Sequence, residues 1–159
     1  GEDELFYMGT GLEHNEKGDP NYRPANRNAM VEKRFRKLRT LGDAITQLPI
    51  EEHMPDGCEV GVIGWGSTFG AIQEAVMMLE AEGIRIAHLH PRVLSPLPEW
   101  RIRRFLGPLK KIIVAEENYT GQYAHFLKGK FGIHPEEIHK CDGVPFTSEE
   151  LHAAIKEAL

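Results

Sequence analysis

From Glu59 to Leu159 the chain alternates between short apolar runs and stretches of helix length. Few folds accommodate that order. "EVGVIGW" (59–65) reads as a strand, and "TFGAIQEAVMMLEAEG" (68–83) as a helix that ends at Gly83. "IRIAHLH" (84–90) is a second strand, and "LPEWRIRRFLG" (97–107) a helix after the proline-rich "HPRVLSPLP". "KKIIVAEE" (110–117) and "GQYAHFLKGKFG" (121–132) repeat the pair, "EIHKC" (137–141) is a short fourth strand, and "TSEELHAAIKEAL" (147–159) is a closing helix. Thr147 or Ser148 caps that last helix, with acids in its first turn. Strands this apolar, each followed by a helix, predict an α/β fold with a mostly parallel sheet covered on both faces.

The first third of the chain obeys other rules. Residues 1–25 are polar and rich in Gly, Pro, Asn and Asp, and read as a loop or linker with a turn at "GDPN" (18–21). Between Asn26 and about Leu48, Val31, Phe35, Leu38, Leu41 and Ile45 recur at helical spacing, with Lys33, Arg34, Arg36, Lys37 and Arg39 on the other sides. That is an amphipathic helix, and its basic run reads as a solvated face. "LPIEEHMPDG" (48–57) is a second linker. The expected organisation is therefore a linker over 1–25 from an upstream domain, a helix and linker over 26–57, and an α/β domain over 58–159. The absence of an initiator Met gives the start the look of a cut through a longer protein.

A formal charge of −5 argues against a general nucleic-acid binder. No apolar run approaches the roughly 20 residues that cross a bilayer. With no signal-peptide pattern at the start, a reducing, cytoplasmic compartment is the expectation. Cys58 and Cys141 are too few to ligate an iron–sulfur cluster from this chain alone.

Two segments carry candidate site residues. In "IGWGSTFG", Gly64, Gly66 and Gly70 are spaced G-x-G-x-x-x-G, and Gly66, Ser67 and Thr68 offer backbone N–H groups at a helix start. They could form an anion nest. The third glycine is one place late for a dinucleotide fingerprint, and no acid ends the next strand, although Arg92 could meet a 2′-phosphate. Two readings stay open for this turn: an anion site, or a close strand-to-helix connection that serves packing. "VAEENYTGQYAHFL" (114–127) places Glu116, Glu117, Asn118, Gly121 and Gln122 at the carboxyl end of a strand, the edge where ligands and partner chains sit in open parallel sheets. A contact role fits these residues better than catalysis, because no second ionisable group is placed by sequence to complete an acid–base pair. His88 and His90 share a strand face, with His134 and His139 further along, and none follows a metal-ligand spacing. A packed histidine dyad under a loop is expected. No nucleophile elbow, P-loop or Cys–His signature occurs, and catalytic, cofactor and metal residues are all expected to be absent.

Five segments in register, "TGLEHNEKGDPNYRPANRNAMVEKRFRKL" (10–38), "VIGWGSTFGAIQEAV" (62–76), "AHLHPRVLSPLP" (87–98), "KIIVAEENYTGQYAHFLK" (111–128) and "CDGVPFTSEEL" (141–151), resemble the carboxyl-terminal part of the α subunit of 2-oxoacid:ferredoxin oxidoreductases, the 2-oxoglutarate branch above all. The resemblance implies a three-layer sandwich like the transketolase carboxyl-terminal domain, with a mostly parallel sheet of about five strands. It implies an intact enzyme that oxidatively decarboxylates a 2-oxoacid to an acyl-CoA, using thiamine diphosphate, Mg²⁺ and an iron–sulfur cluster held outside this chain. Its partners would be a β subunit, a thiamine-pyrimidine domain upstream, ferredoxin and CoA, with no nucleic acid and no membrane. Gly64, Gly66, Ser67, Thr68, Glu116, Asn118, Gly121 and Gln122 would then border a subunit interface or an anion site. The alternative is a free-standing α/β module binding a nucleotide or phosphorylated ligand at Gly64–Gly70.

Overall fold

The computed structural model describes residues 8–46 and 48–159. Residues 1–7, the start of the expected linker, lie outside them, as does Gln47. The chain divides into two compact units, Gly1–Gln47 and Leu48–Leu159.

In the first unit, helix α1 spans Pro24–Ile45, with proline in the first turn, where a missing N–H costs nothing. The loop before it is tied down by side chains. Glu13 binds Arg27 and Arg34, each at 2.6 Å, and the Asn26 amide donates to the carbonyls of His14 and Asn21. The turn expected at 18–21 sits earlier, because the Asn15 side chain accepts the backbone N–H groups of Lys17 and Asp19 and closes the loop around itself.

The second unit is built on a five-stranded sheet. The strands are β1 (Glu51–His53), β2 (Val60–Ile63), β3 (Ala87–His90), β4 (Lys111–Glu116) and β5 (Glu136–His139). Helices α2 (Phe69–Ala81), α3 (Glu99–Leu106), α4 (Gln122–Phe131) and α5 (Ser148–Glu157) connect and close them. In space the strands run β1-β3-β2-β4-β5, with every pairing parallel except β1 against β3. β1 lies inside the stretch read from sequence as a linker. At three residues it is too short to show a period, and only its pairing with β3 makes it a strand.

Alternation along each strand sorts the core into two halves. Val62, Ile113 and Ala115 face α2 and α5, meeting Ile72, Leu79, Leu151 and Ile155. Ile63, Leu89, Ile112 and Val114 face α3 and α4, meeting Ile102, Phe105, Ala124 and Leu127. The result is a three-layer sandwich. Of the two caps offered for α5, Thr147 holds the position. Its hydroxyl accepts the Glu150 N–H at 3.2 Å, and the Glu150 carboxylate accepts the Thr147 N–H at 2.9 Å.

Candidate functional site

β2 sits between β3 and β4. The chain leaves β2 through α2 toward β3, and leaves β4 through α4 in the opposite direction toward β5. The carboxyl ends of β2 and β4 therefore flank a crevice of the kind where open α/β sheets place ligands. The segments following these two strands are the glycine turn and "EENYTG" (116–121), the two picked out from sequence. The fold brings them together.

Glu116 is the centre of that crevice. It ends β4, points to the α3/α4 side and is fully buried. One oxygen accepts the backbone N–H of Ala124 at 2.8 Å. The other accepts the Tyr123 N–H at 2.8 Å, the Asn118 amide at 2.8 Å and the Trp65 indole N–H at 3.3 Å. Charge-assisted bonds from the first turn of α4 fix the helix to the strand end. Asn118 completes the lock by accepting the Gln122 N–H at 3.1 Å. Gly121 enters α4 with φ at 62°, and a β-carbon there would collide with Glu137 and His139, so both backbone and space demand glycine.

Glu117 ties three loops together. Its carboxylate accepts the Ser67 hydroxyl at 2.6 Å and the Phe146 N–H at 2.9 Å. Thr68 is buried, and its hydroxyl donates to the Trp65 carbonyl at 3.0 Å while accepting the Trp65 N–H at 3.2 Å. Gly64 permits a close approach, since a β-carbon would run into the Ile72 side chain and lie 2.7 Å from the Thr68 hydroxyl. Gly66 takes φ of 62° beside open space. Both hydroxyls of the turn are thus engaged, and a carboxylate stands against Ser67, where an arriving anion would need positive charge. The Arg92 guanidinium is paired with Glu51.

Sequence alone missed Trp65 and Phe146 as parts of this cluster. A signal existed for Trp65, because an indole N–H that is removed from water needs an acceptor. None existed for the Phe146 backbone.

His88 and His90 are each 4% exposed and face the α2 side, with ring centroids 5.7 Å apart. What covers them is a helix rather than the expected loop: Phe69, the first residue of α2, stacks on His88 at 5.8 Å and meets His90 edge-on at 5.1 Å. His90 Nε2 donates to the Gly66 carbonyl at 3.2 Å. Burial, reinforced by neighbouring His90 and His53, pushes the His88 pKa down to about 3. Burial likewise lowers that of His90. Both rings are neutral packing groups at neutral pH. His134 and His139 are remote from them in sequence; His139 pairs with Glu137 at 3.0 Å.

Among the described residues no three His, Cys, Asp or Glu side chains converge to hold a metal ion. Cys141 is exposed, whereas Cys58 is buried with its thiol donating to the Val60 and Arg85 carbonyls. Two cysteines, one of them buried and hydrogen-bonded to backbone, do not make the thiolate set that an iron–sulfur cluster needs. No helix among the described residues is long and apolar enough to cross a membrane.

Comparison with known proteins agrees with this architecture. The family model described as pyruvate:ferredoxin oxidoreductase core domain II matches residues 58–151. The chain is 34% identical over 157 residues to a 2-oxoglutarate oxidoreductase subunit KorA of Mycobacterium tuberculosis, covering 94% of this chain and 23% of that protein. It superposes with a TM-score of 0.82 and 39% identity on a 2-oxoglutarate:ferredoxin oxidoreductase from Magnetococcus marinus, solved with 2-oxoglutarate, coenzyme A and succinyl-CoA bound. That match covers 96% of this chain and 26% of the other. A split-gene transketolase, at 22% identity and a TM-score of 0.54 over 69% of this chain and 41% of its own, shares the fold. The chain spans about a quarter of the length of the curated 2-oxoacid oxidoreductase subunits it matches first. With residues 58–151 matched, more than half of its length, the chain belongs to the pyruvate:ferredoxin oxidoreductase core domain II family.

Proposed function

We propose that this chain is a domain of the α subunit of a 2-oxoacid:ferredoxin oxidoreductase acting on 2-oxoglutarate, and that it builds subunit contacts rather than carrying reacting groups. The observation that carries this reading is Glu116. The carboxylate at the crevice, where a catalytic acid or base would be sought, is fully buried and accepts four N–H groups. Full burial beneath the first turn of α4 keeps it out of a substrate's reach. Glu117 is engaged by the Ser67 hydroxyl and the Phe146 N–H. The crevice thus behaves as a brace: Gly64, Gly66, Ser67, Thr68, Glu116, Asn118, Gly121 and Gln122 hold the strand-end loops in one shape, ready to meet another polypeptide surface.

In this reading the intact cytoplasmic enzyme oxidises a 2-oxoacid and forms its acyl-CoA on thiamine diphosphate and Mg²⁺, with an iron–sulfur cluster passing electrons to ferredoxin. Those groups are held by a β subunit and by other segments of the α subunit. The test is to affinity-tag the protein in its source cells and assay what copurifies. The reading expects a β subunit in the complex and reduction of ferredoxin that requires both 2-oxoglutarate and CoA. A complex without that activity, or activity with a different class of substrate, contradicts it.

A further inference from the structure

Helix α2 connects β2 to β3 and lies over both. β1 sits beyond β3 at the sheet edge and runs into β2 through a loop, so it brings no helix of its own. Between α2 and this uncovered edge is a cavity of about 160 Å³. Phe69, Gln73, Val76, Met77 and Glu80 line it from one face of α2. On the sheet, His53 stands directly opposite His88 in the antiparallel pair, which turns both side chains to this side. His88 is 4% exposed, and its Nε2 is shut off from bulk water without a hydrogen-bond partner. Buried polar atoms nearly always have one. Among the described residues lining the cavity, no other carries such an atom. Phe69, Val76 and the Met77 thioether form the apolar part of the wall, and Met77 is left 63% exposed. At the mouth, half-exposed His53 bonds Glu80 at 2.6 Å, and Glu51 binds Arg92.

We propose that this cavity binds a neutral aromatic ring bearing one hydroxyl, a phenol, with the hydroxyl on His88 Nε2 and the ring against Phe69, Val76 and Met77. The inference stands on the cavity alone and is independent of the enzymatic reading above. The size is right, since an apolar cavity of about 150 Å³ takes up one benzene. A thioether makes favourable contact with an aromatic ring, and the ligand would cover the exposed Met77. A hydroxyl both donates and accepts, so it satisfies Nε2 in either tautomer of the neutral imidazole. Charged ligands fit less well. An anion meets Glu51 and Glu80, and among the described residues no lysine or arginine lines the cavity to offset them. A cation finds both carboxylates already engaged, by Arg92 and His53. The ring enters as His53, held at the mouth by its Glu80 bond, turns outward. A free small molecule and a tyrosine of another chain both present this group.

Phenol itself is the probe, titrated into the full protein labelled with methyl-¹³C methionine, once in its native assembly and once separated from its partners. The Met77 methyl resonance, assigned with Met77→Leu, should shift saturably. Toluene, the same ring without the hydroxyl, should bind at least fivefold more weakly, and benzoate should not bind. His88→Leu should reduce the affinity for phenol to that for toluene while leaving toluene within twofold. Gln73→Trp, an exposed position beside the mouth, is a second variant and should block phenol by filling the entrance. Circular dichroism of both variants separates lost binding from lost structure. Saturation in both forms assigns the site to a free molecule, and saturation only after separation assigns it to a side chain of a partner. A Met77 methyl that shifts in neither form would overturn the proposal. So would toluene binding as tightly as phenol, or phenol affinity undiminished in His88→Leu or Gln73→Trp.

Discussion

Glu116 shows how one buried carboxylate determines a loop, a helix start and an indole position together. Removing it strands four N–H donors, two of them on the backbone of α4. Unpaired buried donors cost about 1–3 kcal/mol each where water cannot reach them, and relaxation recovers part. Glu116→Ala should therefore destabilise the chain by roughly 3–5 kcal/mol in urea unfolding. A loss under about 1 kcal/mol would show that the four bonds do not hold this region. His88 makes a different prediction. Its pKa is lowered from an ordinary 6.5 to about 3, so the unfolded chain binds a proton that the folded one refuses. The stability this protects is complete above pH 6.5 and is lost as pH falls toward 3, on the order of 2–3 kcal/mol by about pH 4.5. His53, His90 and Glu51 share that surface, and carboxylates elsewhere titrate in the same window. The diagnostic is therefore a difference: His88→Leu, which sacrifices no hydrogen bond at Nε2, should reduce the acid slope of the unfolding midpoint. An unchanged slope places the acid sensitivity elsewhere.

The strand–turn–helix from Val60 to Ala81 is the element on which the crevice depends. Its glycines differ in what they permit. Gly64 lacks room for a β-carbon, while Gly70 has nothing within 4 Å of where one would go. Gly64→Ala should cost about 1–3 kcal/mol by overpacking Ile72 and Thr68. Gly70→Ala, inside α2, should be neutral or stabilising by up to about 1 kcal/mol. Paired thermal unfolding curves check both, and equal effects would contradict the close approach at Gly64. β2 and β4 and the helices that follow them were legible because their apolar runs are continuous and bounded by Gly, Pro or a cap. β1 was not legible, since Glu51, Glu52 and His53 carry no apolar period and acquire strand geometry only from β3. The histidine pair was read correctly as a packed dyad, but its cover was not. Which face His88 and His90 occupy follows from the parity of Ala87 and Leu89, and only the packed sheet shows that Phe69 waits there.

For the whole molecule, the glycine turn and the Glu116 segment are 50 residues apart in the chain, and nothing local says they meet. Their meeting is a consequence of strand order, with β2 between β3 and β4. Residue types at the site were visible in advance. That their polar groups satisfy one another was not, because hydrogen-bond partners across a crevice are a tertiary property. Such mutual satisfaction is the basis of the proposal that these loops brace a contact surface while the reacting groups sit on other segments. The direct measurement is calorimetric titration of the purified chain with thiamine diphosphate and Mg²⁺, followed by a turnover assay with 2-oxoglutarate, CoA and ferredoxin. No saturable heat and no turnover are predicted. Saturable binding of the cofactor, or acyl-CoA formed by this chain unaided, would contradict the account.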